Sequence, residues 1–416
     1  MVRDGEILAV GPAAAMRAIY PRMTERDLGE RIVTPGFVDA HCHLEWSLLD
    51  GLLPAGEFAE WLGRLLPMRM LMTPADHETA ARHGALRALA GGTTTVVDSG
   101  PTGAGAGAVA ESGLRGLVHL EAFGREEGAD ARAAADAMSS RLAELDAVVG
   151  PRGRVGVSPH APYTVGPGFW RALRERFDTE GRPWATHLAE SAAEERVIAH
   201  GDGPLGDLFA AADLEPGRWP GGDGDGPVPR LARAGALEPG LVAAHCVRLG
   251  PGDAATLARG GVGVAHCPRS NAYLRCGRAP LEELREAGVA VGLGTDSPAS
   301  GGDYDLRAEA RACWQAHAPV MDLDDDALLA LITLDAARAV GLDASVGSLV
   351  AGMRADLVVL GPARSGGSPA ARVLDPGAVV EMVVVDGEIV LQDGAPTRID
   401  VSALRARADE VRGRLC

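Results

Sequence analysis

His41-Cys42-His43 closes an apolar run, Ile32-Val33-Thr34-Pro35-Gly36-Phe37-Val38-Asp39-Ala40, that reads as a buried strand. Residues two apart on a strand project to the same face. Two imidazoles would then converge at the strand's end, each with a lone pair to offer a divalent metal. Taken alone, the spacing also suits a pair of loop histidines. The rest of the chain adds polar residues of the same kind at the ends of further apolar runs. His160 follows Val157-Ser158-Pro159, His187 precedes Leu188-Ala189-Glu190, and His245 follows Ala243-Ala244. His266 ends another run, and Asp296 stands in Gly292-Leu293-Gly294-Thr295-Asp296-Ser297. Structural histidines have no reason to select strand ends, so the joint pattern points to metal-dependent catalysis. His77, His83, His119, His200 and His317 lie in helical or non-terminal contexts and read as surface or core residues. All 40 basic residues counted as Lys plus Arg are arginine. Without lysine there can be no P-loop lysine, no Schiff-base lysine and no lysine carbamate bridging two metals. A metal site here must be built from His, Asp, Glu and Cys.

Eight short apolar runs could carry these residues: 36–41, 94–98, 117–121, 154–159, 183–187, 241–245, 262–266 and 289–294. Segments rich in Ala, Arg, Glu and Leu alternate with them, at 75–90, 129–147, 168–178, 252–259, 279–287 and 303–316. Such alternation implies parallel strands with crossover helices. Eight units point to a closed (β/α)8 TIM barrel with its site at the carboxyl ends of the strands. A doubly wound open sheet also fits the alternation, but polar residues at so many strand ends favour the barrel. The chain ends differ in pattern. Residues 5–11, 355–361 and 378–393, the last with an Asp386-Gly387 turn, are strand-rich. They predict a small β-sandwich domain formed by both chain ends, over 1–33 and 346–400, beside a barrel over 34–345 and a terminal helix over 401–416. The Gly/Pro/Asp-rich stretch 215–229 reads as a mobile loop.

Composition narrows the partners. A net charge of −17 argues against nucleic acid or an anionic membrane as a partner. No apolar segment reaches the ~18 residues of a membrane helix. Met1-Val2-Arg3-Asp4-Gly5 does not read as a signal peptide. Six scattered cysteines, with no CxxC pair, read as reduced thiols in a cytoplasmic protein.

The chain resembles the amidohydrolase superfamily over nearly its whole length. Pro35–His43, His187-Leu188-Ala189-Glu190, His245-Cys246-Val247, His266-Cys267-Pro268-Arg269-Ser270-Asn271 and Gly294-Thr295-Asp296-Ser297 resemble its successive motifs. Leu349–Val359 resembles the return into the β domain. HxxE after strand five is similar to the mononuclear deaminase and chlorohydrolase branch. The resemblance implies that His41, His43, His187 and Asp296 hold one Zn2+ per chain, with Fe2+ as the alternative ion. It implies that the metal activates a water, that Asp296 takes its proton and that His245 orients it. Glu190 would protonate the ring nitrogen beside the attacked carbon and help ammonia leave. A homodimer is the assembly expected.

Within that branch, His43-Leu44-Glu45-Trp46-Ser47, Phe58-Ala59-Glu60-Trp61 and Arg69 resemble the 6-amino-6-deoxyfutalosine deaminases of menaquinone biosynthesis. Adenosine, methylthioadenosine and S-adenosylhomocysteine deaminases are similar, and chlorohydrolases and cyclic amidohydrolases belong to the same branch. In the adenosine-type enzymes a Pro-x-Glu supplies a glutamate for the ribose hydroxyls; here the triplet is Pro67-Met68-Arg69. The substrate-binding set implied is His160, Glu45, Arg69, Arg269 and Arg275, the arginines gripping a benzoate carboxylate of a nucleoside-like small molecule. The family usually carries about one more strand pair before the position of Val2, so either an incomplete β domain or a misassigned start site is expected.

Overall fold

The computed structural model describes residues 1–222, 224–361 and 366–416. Eight parallel strands follow one another around a single sheet in chain order. They are β1 (Phe37–Cys42), β2 (Thr93–Gly100), β3 (Arg115–Ala122), β4 (Gly153–Pro159), β5 (Trp184–Leu188), β6 (Leu241–His245), β7 (Gly263–His266) and β8 (Val291–Leu293). Helices connect successive strands, among them Pro74–Ala90, Gly128–Val148, Pro167–Phe177 and Asp253–Gly260, and Leu306–His317 follows β8. The sheet closes on itself just past the ends of β8 and β1. Asp296 N–H donates to the His41 carbonyl and His43 N–H to the Asp296 carbonyl, each at 2.9 Å. The closure needs a bare backbone at Gly294, because a Cβ there would lie 2.7–2.9 Å from the His41 backbone and Cβ.

Small apolar side chains fill the barrel's lower interior: Val38, Ala40, Val97, Leu117, Ala185, Val242 and Ala265. Ala336, Ala337 and Val340, from the helix Leu334–Ala339 and its end, plug that floor. Simple alternation after Val38 and Ala40 would turn His41 away from the interior. The ladder between β1 and β2 shifts register between Asp39 and Cys42, giving β1 one extra residue there. A bulge of this kind re-aims the side chains beyond it. His41 and His43 thereby face the upper interior.

Both chain ends contribute to a five-stranded antiparallel sheet. Its order is Ala395–Pro396, Glu388–Gln392, Val380–Val385, Leu357–Leu360 and Ile32–Pro35. Asp386-Gly387 forms a two-residue turn, with φ of 50° and 76°, the left-handed pair that a hairpin of this type requires. Val2–Arg3 pairs with Glu6–Ile7 as a separate hairpin. An ion network joins the sheet to the barrel's lower rim. Arg115 at the start of β3 reaches Asp356 at 2.9 Å and Asp386 at 2.6 Å, and Arg152 reaches Asp386 at 3.1 Å. The terminal helix Val401–Leu415 anchors the turn that follows His43, since Arg412 donates to the carbonyls of Leu48 and Asp50.

The stretch 215–229 includes Asp223, which lies outside the described residues. Its last residues begin a helix, Pro227–Arg233, and the buried Trp219 donates to the carbonyls of Pro162 and Val165 at 2.9 and 3.0 Å. No helix among the described residues is long and apolar enough to cross a membrane.

The seam yields a direct test. Gly294→Ala should destabilise the fold by about 1–3 kcal/mol in denaturant unfolding, the usual cost of overpacking. Gly107→Ala, in a helix where the new methyl meets nothing within 4 Å, should be neutral or stabilising by up to ~1 kcal/mol. Equal midpoints for the two variants would show that the seam tolerates a side chain.

Candidate active site

The carboxyl ends of the strands bring the sequence-singled residues to one place. His43 Nε2 lies 3.2 Å from His187 Nε2 and 3.3 Å from Asp296 Oδ1, and His41 Nε2 lies 3.8 Å from the same Oδ1. His41, His43, His187, His245 and Asp296 are all buried. The ligand atoms of His41, His43 and Asp296 lie within 4.8 Å of one another, as do those of His41, His187 and His245.

Each donor is aimed by a partner behind it. Nδ1–H of His43 donates to the Ser99 carbonyl at 2.7 Å, and Nδ1–H of His187 to the His160 carbonyl at 3.0 Å. A carbonyl only accepts, so in their neutral form both rings present an unprotonated Nε2 to the interior. Asp296 Oδ2 accepts from Ser270 Oγ at 2.5 Å and Ser300 Oγ at 2.8 Å, which leaves Oδ1 facing the imidazoles. Asp39, beneath, accepts from the Thr295 amide at 3.0 Å and hydroxyl at 2.6 Å and fixes the loop that carries Asp296. His41 Nε2 is buried with no hydrogen-bond partner among the described residues. Buried polar atoms are seldom left so. Three imidazole nitrogens, one carboxylate oxygen and an orphaned lone pair fit a divalent cation of the zinc type.

Glu190 and His245 flank the cluster, with His245 Nε2 3.6 Å from Glu190 Oε1. Burial pushes the Glu190 carboxyl well above the ordinary range, and the charges of Asp296 and Glu194 push it further. Burial likewise holds His245 below the usual imidazole value. Burial thus favours the uncharged form of both groups. Glu190 is held by its backbone. The buried Glu194 carboxylate accepts from the amides of Ala189 at 3.0 Å and Glu190 at 2.7 Å. His245 is oriented by Asn271, whose Oδ1 lies 3.0 Å from Nδ1.

Above the cluster opens a cavity of about 300 Å³, at the lower end of small-ligand sites. His43, His187, Glu190, His245 and Asp296 form its polar end. Trp46, Phe58, Trp61, Phe123, Tyr163 and Phe209 form its walls. His160 lines it too, stacked 4.8 Å from the Phe123 ring and tied by Nδ1 to the Thr164 hydroxyl at 2.8 Å. Arg69 stands in the wall with its guanidinium 5.4 Å from the Phe123 ring centre and 6.0 Å from that of Trp46.

Three expected substrate contacts lie elsewhere. Glu45 is buried beneath the cavity and accepts from the Thr102 and Ala104 amides and faces His77 at 3.0 Å. It braces the loop after β2. Arg269 is turned away from the mouth and held by Asp303 at 2.5 Å and Glu309 at 3.5 Å. Arg275 is exposed and lies 3.6 Å from Glu57. Neither arginine lines the cavity. Two wall residues escaped the sequence reading. Glu121, at the end of β3, lies 4.0 Å from His43 Nδ1. Arg125 follows it, its guanidinium 5.0 Å from the Phe209 ring centre. The signal for Glu121 was present, because it closes the run 117–121 as the histidines close theirs.

Residues 32–390 match the profile of the amidohydrolase family. The chain is 32% identical over 434 residues to a 5-methylthioadenosine/S-adenosylhomocysteine deaminase of Symbiobacterium thermophilum, covering all of this chain and 93% of that one. It is 33% identical over 430 residues to a deaminase of the same name from Nitratidesulfovibrio vulgaris, covering 99% and 91%. Its fold superposes on the crystal structure of an adenosine deaminase from Xanthomonas campestris with bound zinc, with a TM-score of 0.83, 28% identity and 100% and 92% of the chains covered. Helicobacter pylori aminofutalosine deaminase, in complex with methylthio-coformycin, shares the fold at a TM-score of 0.81 and 21% identity, with 94% of each chain covered. Matched by its profile over most of its length, and by relatives of the same extent, the chain belongs to the amidohydrolase family.

Proposed function

We propose that the protein is a zinc-dependent aminohydrolase that replaces the 6-amino group of a purine nucleoside by oxygen. One observation carries this reading: the buried Glu190 carboxyl, its pKa raised by burial, lies 3.6 Å from the buried His245 beside the His/Asp donor cluster. The names of the similar deaminases support it. His41, His43, His187 and Asp296 would hold the ion. When bound, Zn2+ supplies Lewis acidity and makes a water a competent nucleophile at neutral pH.

The protein's own groups divide the remaining work. The cavity's aromatic walls clamp the flat base. Glu190 donates its proton to the ring nitrogen beside the amino-bearing carbon, which makes that carbon electrophilic. His245, with Nδ1 turned to Asn271, offers Nε2 to orient the attacking water. Asp296 Oδ1, its other oxygen occupied by two serine hydroxyls, takes the water's proton. That proton passes to the amino group, which leaves as ammonia, and the remaining hydroxyl proton returns to the Glu190 carboxylate as the carbonyl forms.

We further assign a substrate whose far end carries a carboxylate. Among the described residues, Arg69 has no carboxylate within 4.0 Å, and Arg125 Nε is buried without a hydrogen-bond partner. Two guanidiniums stacked on aromatic rings at the cavity wall suit a planar anion. 6-Amino-6-deoxyfutalosine, with its benzoate, is the substrate proposed. S-adenosylhomocysteine also ends in a carboxylate and is the second reading, favoured by the names of the similar relatives.

Glu190→Gln should keep the fold and bound zinc and lose at least ~10²-fold in kcat, the lower end for general acid–base catalysis. An unaltered kcat would remove Glu190 from the reaction. Because the raised carboxyl must be protonated to act, wild-type kcat should fall as pH rises through its pKa. A rate that instead rises with pH would reverse its role from acid to base.

On a panel of aminodeoxyfutalosine, S-adenosylhomocysteine, methylthioadenosine and adenosine, the carboxylate-bearing pair should show the highest kcat/KM. Arg69→Met should raise KM for that pair more than it lowers kcat, because the contact is remote from the reacting carbon. Adenosine turning over fastest would refute the anionic-substrate assignment. An unchanged ratio between substrates in the variant would take Arg69 out of recognition.

A further inference from the structure

Behind the catalytic cluster lies a second set of metal-ligating side chains that the mechanism does not use. His266 ends β7, and Cys313 and His317 stand one turn apart on the helix Leu306–His317. All three are buried, and their ligand atoms lie within 4.8 Å of one another. His266 Nε2 and His317 Nε2 are 3.3 Å apart, with the rings at 82°. Two nitrogens each ~2.0–2.1 Å from a tetrahedral zinc are separated by about 3.3 Å. The candidate catalytic pair, His43 and His187, shows nearly the same separation, 3.2 Å.

We infer that His266, Cys313 and His317 form a second metal site, separate from the catalytic one, that binds a single borderline-soft divalent ion of the zinc type. The donor set of one thiolate and two imidazoles selects such an ion over magnesium or calcium. The outer nitrogen of His317 has an acceptor within reach. Glu282 Oε2 lies 3.6 Å from His317 Nδ1, a carboxylate able to accept that ring's proton once Nε2 is engaged. Arg278, now 2.8 Å from the same Nδ1, is already paired with Glu282 at 2.7 and 2.8 Å and turns to it alone. Asn271 Nδ2, a donor only, lies 3.4 Å from His266 Nδ1, so binding through His266 Nε2 requires that amide to turn its oxygen toward the ring. A cavity of about 370 Å³ lined by His266, Asn271, Arg278 and Ala316 lies against the cluster and provides access for the ion and a solvent ligand for its fourth position. Since Asn271 also orients His245, the second site is one residue removed from the group that orients the attacking water. An ion there would tie the end of β7 to the helix after β8.

The bland alternative is an N–H···N hydrogen bond between two core histidines, and cobalt distinguishes the two. The catalytic donors include no thiolate, so a thiolate-to-cobalt charge-transfer band in the near ultraviolet reports only a cysteine-ligated site. Cys416 is the exposed cysteine, so the titration uses enzyme loaded with a single equivalent of zinc per chain, enough for the catalytic site alone, in a Cys416→Ser background. Added Co2+ should bind to one further equivalent per chain, produce the band and raise Tm. Cys313→Ser should abolish the band, His317→Ala should abolish the extra equivalent, and Glu282→Gln should weaken binding about 10- to 100-fold. No further equivalent in the parent enzyme would overturn the proposal whether or not the variants fold. A band that survives Cys313→Ser would overturn the assignment of Cys313.

Discussion

The closure of the barrel between its first and last strands is the constraint on which the candidate site depends. Two backbone hydrogen bonds link Asp296 with His41 and His43. The same three residues supply three of the donor side chains. The seam that completes the sheet is therefore also the frame of the candidate metal centre. This explains why Gly294 stands there, where a side chain would press on the His41 backbone. It also explains the bulge in β1, which turns the histidines inward after two residues that pack the floor.

Concentrating four imidazoles and several carboxyls in a dry barrel mouth opposes folding, since unpaired buried polar groups are costly. The backbone carries strain there as well. Ala189, His245, Cys246 and Asp296 adopt positive φ of 53°, 75°, 46° and 56°, and such conformations persist only where their surroundings over-determine them. Those surroundings are visible. Glu194 pins the amides of Ala189 and Glu190, Asn271 holds the His245 ring, and Ser270 with Ser300 holds Asp296. Each strained residue is thus flanked by a buried polar partner, and the chemical groups meet the cavity in fixed orientations.

Much of this was legible in the residues. Apolar runs closed by His or Asp mark barrel strands because parallel strands are buried on both faces and present polar groups only at their ends. The alternation with helical segments carried the fold, and Asp386-Gly387 marked its turn. Long side chains at a distance were less legible. Arg269 and Arg275 follow β7 closely in sequence, yet Asp303, Glu309 and Glu57 draw them outward. Glu45 follows His43 by two residues but a short 3-10 turn, Leu44–Leu49, carries it beneath the cavity. Such choices depend on tertiary partners that spacing does not encode. The helix Phe58–Leu71, which carries Arg69 into the wall, lacked a clear boundary in sequence because Pro67 lies inside it.

The central claim is that the seam between β1 and β8 shapes a site for one catalytic ion. Anomalous diffraction at the zinc edge from crystals of the zinc-loaded enzyme tests it most directly. The expected result is a single peak in the barrel mouth, bonded to Nε2 of His41, His43 and His187 and to Oδ1 of Asp296, with Glu190 outside bonding distance. Two peaks in the mouth bridged by a shared ligand, or a peak bonded to Glu190 in place of Asp296, would contradict it.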